Sequence, residues 1–372
     1  MRLRLLAPLL VTPVTLAAQQ PATAPAPSAA SPAESRRPRQ VVPMDSARAA
    51  QLYVSNRFED HPPADFERQR QQKARTDSIY AARARGAMRF EKIAYKSNVD
   101  GTSIPAYLFS PLQPRGRHAA LVWVHGGVHG AWDENYLPFV LDAVKRGYVV
   151  IAPDYRGSTG YGAEFYNAID YGGREVDDVL SAYDHLKTLP YVDPARVGVM
   201  GWSHGGFITA HLLFRGATPF KGGAAIVPVT NLIFRLSYKG PGYQRSFATQ
   251  QGLQGLPFEK RDEYVKRSPY YHVDSLRVPI LVHIASNDED VNFEEARPLV
   301  DALVARKPQL AETKIYWNPT PGPVSVGHTF SRRVNRQTLE RDDSPEQIDS
   351  WNRTWAFFER VLGRPGAATS AR

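Results

Sequence analysis

From residue 88 to residue 363 the chain alternates two kinds of apolar pattern. "RFEKIAYKS" and "SIPAYLFSP" alternate apolar and polar residues on either side of the turn-rich "NVDGT", which predicts a β-hairpin. "HAALVWVHGG" and "YVVIAPD" are continuous apolar runs, the pattern of strands buried on both faces. Between them, "NYLPFVLDAVKRG" has helical periodicity and stops at Gly147. "EVDDVLSAYDHLKTL" predicts an amphipathic helix ahead of Pro190, "RVGVMGW" a strand, "FITAHLLF" a helix and "GGAAIVP" a short strand. "VPILVHIAS" and "TKIYWN" predict two more strands around the helix "FEEARPLVDALVARK", and "SPEQIDSWNRTWAFFERVLG" closes the domain as a helix. Strands alternating with helices imply right-handed crossovers and a mostly parallel sheet with helices on both faces. Residues 88–363 are therefore expected to form one α/β domain. Residues 229–275 break the rhythm with the aromatic stretch "FRLSYKGPGYQRSF", and are expected to be a small loop and helix insertion over the sheet.

The segments outside that domain have other patterns. Residues 1–18 carry Arg2 and Arg4, then an apolar run from Leu5 that closes on Ala17 and Ala18. This is the pattern of a signal peptide and is too short to span a bilayer, so the expectation is a secreted or periplasmic protein without stable membrane insertion. Residues 19–43 are Pro/Ala-rich and read as a disordered tether, and residues 364–372 as a disordered tail. Residues 44–87 are polar and helix-favouring, and predict a solvated helical segment beside the main domain.

Composition narrows the chemistry. The chain has 42% apolar and 22% charged residues, enough for an ordinary core. It has no cysteine, which removes disulfides, thiolate metal sites and cysteine nucleophiles. The net charge is +9, but 15 Lys/Arg against 8 Asp/Glu fall in residues 1–92. The folded domain is nearly balanced, so no nucleic-acid partner is expected. There is no HExxH, and "NDEDVNFEE" lacks the glycine of a calcium loop, so neither a metal nor a cofactor is expected.

The candidate chemistry sits at "GWSHGG", a Gly-x-Ser-x-Gly between a predicted strand and a predicted helix. That context is the one a nucleophile elbow requires: a serine on a strained turn, flanked by glycines, at a helix N-terminus. Ser203 is the candidate nucleophile. A serine hydroxyl needs a base. His204 is adjacent, but neighbouring positions at the start of a helix do not face each other. Its backbone N–H is the useful part, as an oxyanion donor. A base from a loop after a later strand is expected, which points to His328 in "SVGHTF", with the acid in "ASNDEDV" at Asp288 or Asp290. His125 ends a strand in "VHGGVHG", where glycines let a second backbone N–H approach a substrate oxygen. His283 is expected to be a buried strand residue, and His61, His118, His185, His211 and His272 to be surface or helix-packing positions.

Taken in order, "HGG", "DYRGSTGYG", "GWSHGG", "RSPYYHVDSLRVPILVHIASNDEDV" and "GHTF" resemble the catalytic domain of the prolyl oligopeptidase family, nearest its dipeptidyl-peptidase and acylaminoacyl-peptidase branches. The resemblance covers residues 88–363 and implies an α/β-hydrolase fold without metal or cofactor. It implies catalysis by Ser203, Asp288 and His328 through an acyl-enzyme, with Asp290 as the reserve acid, and the N–H groups of His204 and Gly127 as the oxyanion hole. Small peptides are the implied substrates, and small esters the alternative. Three departures stand out. His204 replaces the family's usual tyrosine, the loop "NPTPGPVSVGH" before the histidine is longer, and only about 90 residues precede the domain where the family carries a β-propeller. A member without the propeller is therefore expected, and a homo-oligomer would be one way to gate its site.

Overall fold

The structure is a computed structural model that describes residues 64–250, 252–320 and 327–363. The expected signal peptide, tether, C-terminal tail, the start of the helical segment, His61 and most of the loop before His328 lie outside the described residues.

The first described element is α1 (Phe66–Arg83), capped by Asp65, whose carboxylate accepts from the Arg68 N–H at 3.0 Å. Three residues on one stripe, Lys73, Thr76 and Tyr80, are buried against the domain. The rest of the helix is exposed or half-buried, as a solvated helix beside the domain requires, but Lys73 sends its ammonium inward to Asp154 and to the Trp132 carbonyl.

Strands β1 (Arg89–Lys96) and β2 (Ser103–Ser110) form the expected hairpin, with Ile93 opposite Ala106. Beyond it come β3 (His118–Val124), β4 (Val149–Pro153), β5 (Val192–Trp202), β6 (Gly223–Ile226), β7 (Ile280–Ala285) and β8 (Ala311–Tyr316). The eight strands form one sheet in the order β1-β2-β4-β3-β5-β6-β7-β8. β1–β2 and β2–β4 are antiparallel and every other pair is parallel. This is an α/β-hydrolase fold. β5 begins earlier than its apolar run suggests, at Val192, which pairs with His118 ahead of a register irregularity.

The helices divide between the faces according to the strand alternation. Ala119, Leu121 and Trp123 of β3 join a core with α1, α2 (Leu137–Lys145) and α10 (Pro345–Leu362). Ala120, Val122 and Val124 join another with α4 (Arg174–Lys187), α5 (His204–Leu213) and α9 (Phe293–Arg306). A short helix, α3 (Ala163–Asn167), follows β4. The insertion after β6 holds α6 (Leu232–Tyr238), α7 (Pro241–Ala248) and α8 (Arg261–Lys266). His283 is fully buried in β7. His118 departs from its expected place. It is buried at the start of β3, because its Nδ1 satisfies the Gly147 carbonyl at 2.8 Å. No described helix is long and apolar enough to cross a membrane.

Candidate active site

β5 runs straight into α5 with no loop, so the turn falls on Ser203 itself at φ 55°, ψ −118°. The helix starts at His204 rather than at Phe207, because the elbow glycines already belong to its first turn. A Cβ on Gly205 would stand 2.3 Å from the Val124 carbonyl oxygen, so only glycine fits there. The Ser203 N–H donates to the Ile226 carbonyl at 3.0 Å, which ties the elbow to β6. Trp202, one residue earlier, donates from Nε1 to Ser331 Oγ at 2.7 Å. Ser331 in turn accepts from Trp351 Nε1 of α10 at 2.8 Å through its carbonyl. The elbow and the segment just after His328 are thereby locked together.

Asp288 and His328 come from the loops after β7 and β8. Gly327, at φ 73°, lets the second loop lie on the first, since a Cβ there would be 2.3 Å from Asn287 Oδ1. His328 Nδ1 lies 2.7 Å from Asp288 Oδ2, and both groups are buried. Asp288 Oδ1 accepts the N–H groups of Asp290 and Val291, each at 2.9 Å, which fixes the carboxylate. Asp290 is the other acid in reach: its Oδ2 is 3.6 Å from His328 Nε2. Burial favours its neutral acid, but Lys239, His328 and Arg235 outweigh burial and hold it well below the usual carboxylate range. Ser203 and Asp290 line one cavity of about 130 Å3, and the His328 imidazole reaches it through its contact with Asp290.

The two expected oxyanion donors border that cavity too. His204 opens α5, so its N–H has no preceding turn to bond. The Gly126 N–H is taken by the Tyr136 hydroxyl at 3.0 Å. Gly127 follows at φ 76°, its carbonyl held by Tyr155 Oη at 2.7 Å and the Gly130 N–H at 3.1 Å. The Gly126 N–H is thus engaged, while Gly127 itself lines the cavity. His125 supports this loop from beneath. It stacks on Tyr155 at 4.3 Å, and its Nε2 pairs with Ser158 Oγ at 2.9 Å. Burial pushes its pKa down to about 4, so it is neutral. Asp154 lies 3.6 Å from the same nitrogen and gathers Lys73, the Trp132 N–H and Tyr161 Oη.

The His204 side chain is buried, and neither ring nitrogen has a hydrogen bond. Its Nε2 stands 3.6 Å from Glu175 Oε1. Burial lowers the histidine to about 3 and raises Glu175 to about 8, against the Gly172 N–H bond that favours the carboxylate. Near neutral pH the two form an uncharged pair.

Sequence reasoning passed over the other wall of the cavity, made by Arg235, Lys239, Tyr243 and Tyr171. Arg235 Nε donates to Tyr243 Oη at 2.7 Å, and its Nη1 reaches Glu295 Oε2 at 3.3 Å. Lys239 Nζ donates to Asp290 Oδ1 at 2.9 Å. The four-residue spacing of Arg235, Lys239 and Tyr243 in "FRLSYKGPGY" is no helical signal, because α6 ends at Tyr238 and Lys239 is extended.

The sequence model of the prolyl oligopeptidase family matches residues 136–335, more than half of the chain. An uncharacterized peptidase, YuxL, of Bacillus subtilis is 32% identical over 267 residues, which are 70% of this chain and 38% of the relative. Acylamino-acid-releasing enzyme 1 of Oryza sativa is 28% identical over 200 residues, 51% of this chain and 26% of that enzyme. The chain thus spans well under half the length of these relatives. Among solved structures, a puromycin-hydrolyzing peptidase of Mycobacterium tuberculosis superposes with a TM-score of 0.60 at 22% identity, over 73% of this chain and 39% of that one. That likeness shows the shared fold. On the family match, this chain is a member of the prolyl oligopeptidase family of serine peptidases.

Proposed function

We propose that the chain is a serine hydrolase that cleaves the amide bonds of small peptides through Ser203, His328 and Asp288. The observation that carries this reading is the 2.7 Å contact between His328 Nδ1 and the fixed Asp288 carboxylate, with the opposite ring nitrogen 3.6 Å from Asp290, which lines one cavity with the strained Ser203. In this mechanism Ser203 Oγ attacks the scissile carbonyl carbon while His328 Nε2 takes the hydroxyl proton. Asp288 holds the imidazole with Nε2 free as acceptor, and stabilises the imidazolium that results. The N–H groups of His204 and Gly127 stabilise the negative oxygen of the tetrahedral intermediate. As the intermediate collapses, the imidazolium gives its proton to the departing amine, leaving an ester on Ser203. A water molecule, deprotonated by His328, releases the acid product. The leader-like residues 1–18 support placing this activity outside the cytoplasm.

The test uses fluorophosphonate labelling of the wild-type chain and of Ser203→Ala, beside kcat/KM on matched peptide amides and p-nitrophenyl esters. Labelling that disappears in Ser203→Ala, together with amide turnover, is the expected outcome. Ester turnover without cleavage of any amide would leave the esterase alternative in its place.

A further inference from the structure

We infer that the cavity against Ser203 receives a carboxylate of the substrate, held by Lys239 and the Tyr171 hydroxyl with Arg235 behind them. This rests on Ser203 being the nucleophile. The cavity touches Ser203, His204 and Gly127, so whatever group flanks the scissile carbonyl enters it. At about 130 Å3 it is far below the several hundred Å3 of a whole-ligand site, and takes one short side chain or a terminal carboxyl.

Its walls offer donors that lack acceptors. Lys239 is buried, and its ammonium is pinned 5.4 Å from the centre of the Tyr243 ring. It has three protons, of which the Asp290 carboxylate takes one. Tyr171 is fully buried, and its hydroxyl, beside that of Tyr243, has no acceptor of its own within hydrogen-bond distance. Arg235 is 4% exposed and balanced by the fully buried Glu295. The one acidic group in the wall, Asp290, is already engaged, with Oδ1 on Lys239 and Oδ2 facing His328. An apolar group placed here would leave the remaining ammonium protons and the phenol dry and unmet, which is costly. A cationic group would meet Lys239 and Arg235. A carboxylate offers only acceptors, and it completes both donors without displacing an existing pair.

Two parts of a substrate can bring that carboxylate: a Glu or Asp side chain on the acyl residue, or the free C-terminus of a short leaving group. The experiment therefore has two arms, run on the full chain with Ser203-dependent fluorophosphonate labelling as the reference. One compares Glu with its neutral isostere Gln at the acyl residue of a chromogenic amide. The other compares dipeptides with free and amidated C-termini. We expect kcat/KM to favour the carboxylate by about tenfold or more in one arm, as a charge-assisted bond requires. Lys239→Met brings that ratio close to one, and Lys239→Arg keeps it. The inference is overturned if neither arm shows a preference, if Lys or a free amino terminus is preferred, or if the ratio survives in Lys239→Met. Labelling that persists without any carboxylate preference removes the pocket assignment alone. Absence of labelling removes the hydrolase reading as well.

Discussion

The imidazole of His328 stands between two carboxylates with different surroundings. Asp288 meets Nδ1 and is locked by two backbone N–H groups, while Asp290 faces Nε2 and is engaged by Lys239. Only the first can orient the ring and stabilise its cation while leaving Nε2 open to Ser203. Asp288→Asn should therefore lower kcat by at least about 10²-fold, and Asp290→Asn by much less, in steady-state assays on one substrate. His328→Ala should cost at least about 10³-fold in kcat. His204→Ala should change turnover without abolishing it, since its backbone N–H remains. A reversal of these two histidine effects would mean that the base has been assigned to the wrong residue. The strand, turn and helix around Ser203 and the loops that carry His328 and the acid were legible in local patterns. Those patterns left Asp288 and Asp290 open, and only the family resemblance singled out Asp288, the one that meets Nδ1. Lys239 and Tyr171 were not legible. One follows the end of α6 in extended backbone and the other precedes α4, and nothing short-range says that both turn toward Ser203.

At the scale of elements, α1 is the clearest departure from its sequence. "FERQRQQKARTDSIYAAR" is so polar that no apolar stripe predicts packing, yet it docks through Lys73, Thr76 and Tyr80. The docking combines Tyr80, packed among Phe90, Tyr107 and Phe109, with a specific ion pair. Lys73 meets a fully buried Asp154, which also holds the Trp132 N–H and lies near His125, beneath the glycines that follow β3. Removing one partner of such a pair leaves the other charge stranded, at a cost of about 3–5 kcal/mol. Lys73→Met should lower the stability by about that amount in denaturant titrations, whereas exchanging the exposed Lys92 that bonds Asp77 should change it by less than about 1 kcal/mol. Equal effects at both positions would rule out a special role for the Lys73 contact. The sheet was more legible than this helix. Continuous apolar runs mark strands buried on both faces, and only their boundaries, such as the early start of β5, depended on tertiary pairing.

For the whole molecule, burial sets the response to acid. Burial lowers His125 to about 4 and His204, His211 and His283 to about 3, all below the ~6.5 of an unfolded chain. Unfolding therefore takes up protons as pH falls below ~6.5, and stability is lost in that direction. Glu175 acts the opposite way, because burial raises it to about 8 and the folded chain keeps its proton as pH falls from there toward ~4.5. With the half-buried His185 also lowered, five depressed histidines stand against two raised carboxyls, Glu175 and Asp133, so unfolding takes up protons on balance below pH ~6.5. Urea midpoints measured from pH 7.5 to 4.5 should fall steeply below pH ~6.5, and a flat profile would contradict the neutral buried histidines. Ser203 has a different kind of consequence. A glycine would be relaxed at φ 55°, where the serine stores about 1–3 kcal/mol of strain. Ser203→Gly would regain most of that, less the ~0.5–1 kcal/mol that glycine's extra freedom costs. If Ser203 is the nucleophile proposed above, random drift at this codon thus has a thermodynamic slope toward an inert but sturdier protein, and a serine stays there only while selection opposes that slope.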